Sequence, residues 1–421
     1  MNNKKYKDER GTLFFPIKNN NFYSKECTIS TNKLNVFRGI HINNFDKLVT
    51  CITGKILDII INFDEKCEDY LIPKYYTLDP LTDNFQLLIP KNYGHCFLSL
   101  EENSTLVYHF NDFFSNENTK HINYLDPFLK IELPIENPII SEKDSELNFI
   151  KPIDYLIFGY TGFLGKNLIN ALENANKNYI TSSLRLNEIL QIEKIIKLYK
   201  PKYVINCAGL TGTPNIFWCD NNKTETIETN IIFQMTLVKI CNENNVHLTT
   251  IGSGGIFNND KFYDESDEGN YNNNFYSKTR IELENMIKYY KNVLYLRINY
   301  PISESISNKN LLTKLLTFNE INDVEISITY IDELFPILID MIENKETGIC
   351  NFVNNGSIYL SEILKIYNKL SITKKEIIIS NKQNNDRSYA KLSIGLLKKY
   401  NIRNINNAIE NCVINYIKNQ N

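Results

Sequence analysis

Histidine is scarce in this chain, five in 421 residues, and four of the five (His41, His95, His109 and His121) fall in its first third. A neutral imidazole accepts a proton near physiological pH, so such residues suit general base work. Metal binding is the competing use. It wants two imidazoles one or two residues apart with further ligands nearby, whereas His41 and His95 stand 54 residues apart, and no metal is expected. A second stretch points to phosphate. In Tyr155-Leu156-Ile157-Phe158-Gly159-Tyr160-Thr161-Gly162-Phe163-Leu164-Gly165 an apolar strand runs into glycines three apart, then into Leu164, Leu168, Ile169 and Leu172 at helical spacing. Strand, tight turn and helix of this kind let the backbone approach a pyrophosphate at a helix N-terminus.

These residues need two different scaffolds. At 421 residues the chain exceeds the size at which one core usually grows, so two domains are expected. Short, often alternating apolar runs fill the first 150 residues: 35–42, 47–52, 55–63, 85–89, 96–100 and 105–110. Turn residues at Gly54, Asp83-Asn84 and Asn92-Tyr93-Gly94 punctuate them, and no helix of ten residues is readable, which predicts an antiparallel sandwich or barrel. By simple alternation Arg38, Ile40 and Ile42 share one strand face, with His41 on the other beside Gly39. Val107 and His109 share a face opposite to Tyr108. From Asp154 the pattern becomes strand alternating with helix. Strands are expected at 154–158, 179–182, 203–206 and 247–251, with helices at 163–175, 188–199 and 221–244, as in a parallel sheet covered on both faces. Further helices are expected at 309–318, 332–344, 360–368 and 403–418, the last as packing or assembly surface.

Composition excludes several function classes. Hydrophobic residues at 43%, charged residues at 23% and a net charge of −3 give no broad electrostatic footprint for nucleic acid. No run approaches a membrane span, and the first residues lack the apolar stretch of a secretory signal. The nine cysteines form no closely spaced pair, so a reducing, cytoplasmic setting with buried thiols is expected. After the second strand of the back half, Ser182, Ser183 and Arg185 stand where an NAD enzyme usually carries an acid for the ribose. Hydroxyls and a guanidinium can take a 2′-phosphate, which favours NADPH over NADH.

Several front-half motifs, in order, resemble the nucleotide-sugar 3,5-epimerase family of rhamnose synthesis. They are Arg38-Gly39-Ile40-His41, Lys47-Leu48-Val49, Gly54-Lys55-Ile56-Leu57-Asp58, Ile89-Pro90-Lys91-Asn92-Tyr93-Gly94-His95, Leu106-Val107-Tyr108, Asn123-Tyr124-Leu125-Asp126-Pro127 and Ile140-Ser141-Glu142-Lys143-Asp144. The resemblance implies a cupin-like jelly roll over residues 1–150 acting on a nucleoside-diphosphate 4-keto-6-deoxy sugar, whose C3 and C5 protons are acidified by the C4 carbonyl. It assigns His41 as base with Asp144 supporting its ring, Lys47 at the developing enolate oxygen, and Tyr108 as acid from the opposite face. Arg38 would hold the diphosphate, with His95 and Asp58 completing the pocket. The connection from His41 to Lys47 is shorter than the family's usual one.

The back half, residues 153–421, resembles over about 153–385 the extended short-chain dehydrogenase/reductases, nearest the 4-keto-reductases of rhamnose synthesis and the plant-type fused epimerase/reductases. The motifs are Val204-Ile205-Asn206-Cys207-Ala208-Gly209-Leu210-Thr211-Gly212, Trp218-Cys219, Glu228-Thr229-Asn230, Gly252-Ser253-Gly254-Gly255-Ile256-Phe257, Phe275-Tyr276-Ser277-Lys278-Thr279-Arg280, Leu296-Arg297-Ile298 and Tyr330-Ile331-Asp332-Glu333-Leu334. This implies an α/β Rossmann-fold domain. Its cofactor would lie against Gly159, Thr161, Gly162, Phe163, Leu164, Gly165, Ser183, Arg185, Ala208 and Asn230, and also against Tyr276 and Arg280. Tyr276 would protonate the C4 oxygen, Ser253 would hold that oxygen, and Arg297 would meet the sugar nucleotide. Arg280 stands where the family has a lysine; it keeps the charge with a larger planar head. Cys219 lies where a cysteine takes part in epimerisation in some relatives. Together the halves imply a bifunctional epimerase/reductase giving an L-rhamnose-type product, UDP-linked in preference and with an acetamido C2 left open, in a homodimer. A reductase with a binding-only barrel and a non-enzymatic sugar-nucleotide sensor are the alternatives.

Overall fold

The computed structural model describes residues 5–17, 22–115, 117, 119–213, 215–380 and 387–420. The chain divides into two compact units, Met1–Pro152 and Ile153–Asn421.

The front unit is an antiparallel two-sheet sandwich. Its main strands are β1 (Glu26–Asn32), β2 (Phe37–Asn43), β3 (Lys47–Thr53), β4 (Ile56–Asn62), β5 (Pro73–Leu78), β6 (Gln86–Ile89), β7 (Tyr93–Ser99), β8 (Ser104–Phe110) and β9 (Thr119–His121). One sheet has the order β1-β8-β3-β6 and the other β9-β2-β7-β4-β5. Between the sheets lie Val49, Cys51, Ile56, Ile60, Ile89, Phe97 and Leu106. The outer face of the second sheet is covered as well, because Ile122, Leu129 and Ile140 close over Phe37, Ile40, Ile42, Ile59, Ile61, Cys96 and Leu98. That double cover explains why β4 reads Ile-Leu-Asp-Ile-Ile-Ile rather than as strict alternation.

Alternation fails at one informative place. Arg38 pairs with Phe97 and His41 with His95, so two residues of β2 between them oppose one of β7. This bulge turns Ile40 outward and brings Arg38 and His41 to the same inner face, against the sequence expectation. Gly39 makes it feasible: its φ is +116°, and a Cβ there would sit 2.5 Å from the Cβ of Cys96. The one helix of this unit that matters is α1 (Glu142–Ser145), a single capped turn.

The back unit is built on β10 (Tyr155–Phe158), α2 (Phe163–Asn174), β11 (Tyr179–Ser182), α3 (Ile189–Tyr199), β12 (Tyr203–Asn206), α4 (Phe233–Glu243), β13 (His247–Ile251), α5 (Phe275–Ile287), β14 (Val293–Ile298), α6 (Ile331–Glu343) and β15 (Gly348–Phe352). The strands form one parallel sheet in the order β11-β10-β12-β13-β14-β15. Leu168 and Leu172 of α2 and the Leu334, Leu338 and Ile342 stripe of α6 pack on Tyr155, Ile157, Ile205, Leu294 and Leu296. The chain leaves β10 towards β11 on one side and returns to β12 on the other. A crevice therefore opens at the carboxyl ends of these strands, where open parallel sheets bind ligands.

The helix expected over 221–244 is interrupted. Trp218–Asn221 and Lys223–Ile227 are separate turns, and a π-turn at Glu228–Ile232 precedes α4. Asn222 breaks the first junction with φ −125° and ψ 55° while its amide bonds the carbonyl of Trp218. The final helix, Ile405–Lys418, buries Ile405, Ala408, Ile409, Cys412, Val413 and Tyr416 in a second core with Leu312, Ile363 and Leu364.

The three turn glycines are not equivalent. Gly159 has φ +70°, and a Cβ on it would meet the backbone nitrogen of Ala208 at 2.3 Å, whereas at Gly162 the nearest atom is 3.4 Å away. Gly159→Ala is thus expected to destabilise the back unit by roughly 2 kcal/mol or more, and Gly162→Ala to change it by less than about 1 kcal/mol, in chemical denaturation of the two variants. Equal stabilities would contradict this reading of the turn.

Candidate functional site

Both sheets of the front unit send polar side chains inward. From the second sheet come His41, Asn43, Asp58 and His95; from the first come Lys47 and Tyr108, in the same strand faces as Val49 and Leu106. Lys47 is 4% exposed, Asp58 0% and His95 3%, so this is a desolvated set. His95 Nε2 lies 3.0 Å from Asp58 Oδ2, and the Lys47 ammonium donates to Asn43 Oδ1 at 2.9 Å. The Tyr108 and His95 rings meet edge-on with centroids 6.2 Å apart, and Ser30 hydrogen-bonds the Tyr108 hydroxyl. Arg38 is exposed, its Nε donating to Asn32 Oδ1 at 2.8 Å, which leaves the rest of its fork turned to solvent.

Burial sets the protonation states. It pushes the His41 imidazole down to about 3, with the charge of Lys47 and then His121 and His95 acting in the same direction. Burial also pushes the Lys47 ammonium down to about 7, against the pull of Asp58 and Cys96. The Tyr108 phenol is raised by burial and keeps its proton. At neutral pH the walls therefore present a neutral imidazole, a protonated phenol and a lysine poised at its midpoint.

One further placement in this unit differs from the sequence expectation. Asp144 does not pair with His41. The Nδ1 atoms of His41 and His121 are 2.7 Å apart, and it is His121 on which the Asp144 charge acts. His121 sits directly across from His41 in the β9–β2 register. Nothing in the sequence pairs 119–121 with 41–43, so this juxtaposition is not legible from residue order. Ser30, Asn32 and Asn43 were missed for a similar reason: they are common polar residues, and only strand pairing brings them to the set. Among the described residues no group of three or more His, Cys, Asp or Glu could hold a metal ion.

In the back unit Gly162 is the N-cap of α2 and makes no side-chain capping bond, so the first-turn N–H groups of Phe163, Leu164 and Gly165 face the crevice end of β10. Thr161 is exposed beside them. At the end of β11, Ser183 and Arg185 are exposed, while the nearest acid, Glu188, is used to accept the Arg185 N–H at 2.6 Å. Ala208 follows β12, its N–H bonded to Asn206 Oδ1 and its carbonyl to Gln234. A dinucleotide fits these residues: an open glycine edge for a pyrophosphate, then hydroxyls and a guanidinium for the ribose end.

Helix α5 carries Tyr276 and Arg280 one turn apart, the guanidinium carbon 5.2 Å from the ring centroid. Arg280 is 3% exposed, and its Nε and Nη1 lack a partner among the described residues. Buried donors of this kind are costly unless a ligand completes them. The guanidinium fits because residue 209 is glycine: a Cβ there would lie 2.7 Å from Arg280 Nη2. Ser253 Oγ accepts from the Gly255 N–H at 3.0 Å, which leaves its own hydroxyl proton to donate elsewhere.

Three expected site residues are otherwise engaged. Arg297 is fully buried and spends its donors on Glu284, the carbonyls of Asp264 and Asp267, and Asn351, so it is a structural ion pair and not a contact for the sugar. The Asn230 amide is committed to the backbone of Leu210, accepting at 2.9 Å and donating at 2.8 Å; it holds the loop rather than a cofactor. Cys219 is fully buried with its thiol raised by burial, although it lies within reach of the Arg280 charge.

The family model for dTDP-4-dehydrorhamnose 3,5-epimerase matches residues 1–151, and that for the RmlD substrate binding domain matches residues 153–336. A bifunctional dTDP-4-dehydrorhamnose 3,5-epimerase/dTDP-4-dehydrorhamnose reductase of Arabidopsis thaliana is 36% identical over 259 residues, 57% of this chain and 86% of that protein. A trifunctional UDP-glucose 4,6-dehydratase/UDP-4-keto-6-deoxy-D-glucose 3,5-epimerase/UDP-4-keto-L-rhamnose-reductase of the same plant is 33% identical over 61% of this chain, which spans only 41% of that longer protein. Among solved structures, a UDP-rhamnose synthase of Acanthamoeba polyphaga mimivirus superposes with a TM-score of 0.60 at 25% identity, covering 63% of this chain and all of that one.

The Arg297–Glu284 pair gives a direct check. Removing one partner strands a buried charge, so Glu284→Ala is expected to cost the back unit about 3–5 kcal/mol. Thermal unfolding would register this, and a change under about 1 kcal/mol would mean that Arg297 is free to serve a ligand.

Proposed function

Because the chain belongs to the family of dTDP-4-dehydrorhamnose 3,5-epimerase/reductases, we propose that it converts a nucleoside-diphosphate 4-keto-6-deoxyhexose in two steps. The front unit, a cupin-like jelly roll on this reading, inverts C3 and C5. The back unit, a Rossmann-type dinucleotide domain, then reduces C4 to give an L-rhamnose-type nucleotide sugar. Uridine diphosphate is the proposed nucleotide, in keeping with the named activities of two of the relatives.

One observation carries the reading. The base and the acid of the front unit stand on opposing sheets, His41 on β2 and Tyr108 on β8. A sugar ring held between them loses a proton to one wall and gains one from the other, which is inversion. His41 takes the proton α to the C4 carbonyl. Lys47, charged and desolvated, stabilises the oxygen on which the electron pair settles, where a buried donor is worth more than in water. Tyr108 then delivers its proton to the opposite face of the carbon. Arg38, with its free fork at the open side, suits the diphosphate.

NADPH bound in the back unit would supply the hydride to C4. Tyr276 gives its proton to the C4 oxygen, Arg280 beside the ring balances the phenolate that results, and the Ser253 hydroxyl orients the carbonyl. Gly162 and the first turn of α2 would face the pyrophosphate, with Ser183 and Arg185 at the 2′-phosphate.

The two activities separate by substitution. His41→Ala is expected to abolish solvent deuterium uptake at C3 and C5 while reduction of a pre-epimerised 4-keto sugar continues. Tyr276→Phe should do the reverse, lowering NADPH oxidation on the order of 10²-fold or more with exchange intact. Mass spectrometry and absorbance at the NADPH band read the two; persistence of exchange in His41→Ala would remove the base assignment. The pH profile has a definite sign. Lys47 must be charged at the enolate, and its charge is lost as pH rises through about 7. Exchange kcat/KM is therefore expected to fall on the alkaline side of neutrality, and a profile flat to pH 9 would contradict that role.

A further inference from the structure

His41 and His121 meet Nδ1 to Nδ1 at 2.7 Å, with their rings nearly perpendicular at 85°. A hydrogen bond between two such nitrogens needs one protonated and one bare. Two arrangements satisfy it. If His121 donates, the proton of neutral His41 must sit on Nε2, and the ring has no lone pair left for a substrate. If His41 donates, its Nε2 is bare and able to act as base.

The surroundings favour the second arrangement. His121 is half-buried on β9, at the side of His41 away from His95, and the Asp144 carboxylate acts on it from α1. The Asp144 charge favours proton uptake by the His121 ring, whereas burial and Lys47 disfavour a proton gained by His41, so the shared Nδ1 bond is best fed by the His41 proton. Resting on the epimerase reading above, we infer that His121 is a positioning residue for the base: it accepts the Nδ1 proton of His41, fixes that ring with Nε2 bare, and stands between His41 and Asp144 as an intermediate acceptor. The base is thereby held by a neutral imidazole backed by a carboxylate, and not by a carboxylate directly.

The interposition has a chemical consequence. The charged groups around His41 are Lys47 from β3 and Lys143 from α1, with the rings of His121 and His95 on either side; around His121 they are Lys143 and Asp144. Burial, Lys47 and the neighbouring imidazoles all act on His41 in one direction, disfavouring its charged form. When His41 takes a substrate proton at Nε2, its Nδ1–H···Nδ1 bond to His121 spreads the new charge towards Asp144, which no apolar neighbour could do.

The test uses the full chain with UDP-4-keto-6-deoxyglucose in D2O, following deuterium at C3 and C5, and 15N NMR of the histidine rings. His121→Phe is expected to lower exchange kcat on the order of 10²-fold with KM within about 3-fold. His121→Gln, whose amide oxygen can accept the same proton, should recover most of that loss. His121→Asp places a carboxylate on His41 directly and should move the acid limb of kcat/KM to higher pH. In the wild type the His41 nitrogens should read as protonated Nδ1 and bare Nε2. An unchanged kcat and pH profile in His121→Phe, or a Gln variant as impaired as Phe, would overturn the positioning role. A wild-type chain that exchanges neither hydrogen would instead overturn the epimerase reading, and this inference with it.

Discussion

Between the two sheets of the front unit, an apolar interior holds a lysine, a carboxylate and two imidazoles out of water, and that desolvation governs the rest of the unit. Burying an ammonium beside Val49, Ile60 and Phe97 costs several kcal/mol unless partners compensate. Asn43 and Asp58 compensate only in part, which is why burial still moves Lys47 down to about 7. A set left in this state is poor structural material. It is suited to chemistry in which negative charge appears transiently between the walls, because the lysine then gains a further partner beyond Asn43 and Asp58.

The back unit places its tension differently. Arg297 is the better satisfied of its two buried arginines, each of its donors having an acceptor, and it ties β14 to α5 through Glu284. Arg280 on the same helix is the opposite case, buried beside Tyr276 with two nitrogens that have no partner among the described residues. Identical side chains thus serve opposite purposes within one helix and its neighbouring strand. Gly209 is part of the second design, since any larger residue would press on the guanidinium.

Much of this was readable from residue order. Continuous apolar runs at 155–158, 203–206 and 247–251, separated by helical periodicity, specify a parallel sheet with little ambiguity, and the strands fall on those residues. The inner-face residues His41, Lys47, Tyr108, Asp58 and His95 were identifiable by motif. What could not be read depends on contacts distant in sequence. The edge strand Glu26–Asn32 is polar and largely exposed, so it carries no hydrophobic pattern to find. The bulge at Gly39 and Ile40 reverses the side-chain alternation, and no local rule places it. His121 gains its meaning only from lying opposite His41, and Arg297 loses its expected role only because Glu284 is across from it. The π-turn that carries Asn230 is likewise invisible to a pattern of simple helical periodicity.

The front unit's buried walls and the back unit's glycine crevice are complementary in chemistry. On the proposed reading one makes and quenches an enolate next to a ketone, and the other brings a hydride donor to that ketone. The most direct measurement is the isotope pattern of the product made by the unaltered chain in D2O with unlabelled NADPH. Solvent deuterium at both C3 and C5, with hydrogen at C4, is the expected pattern. A C4-reduced product with hydrogen at all three carbons would contradict the assignment of inversion to this chain.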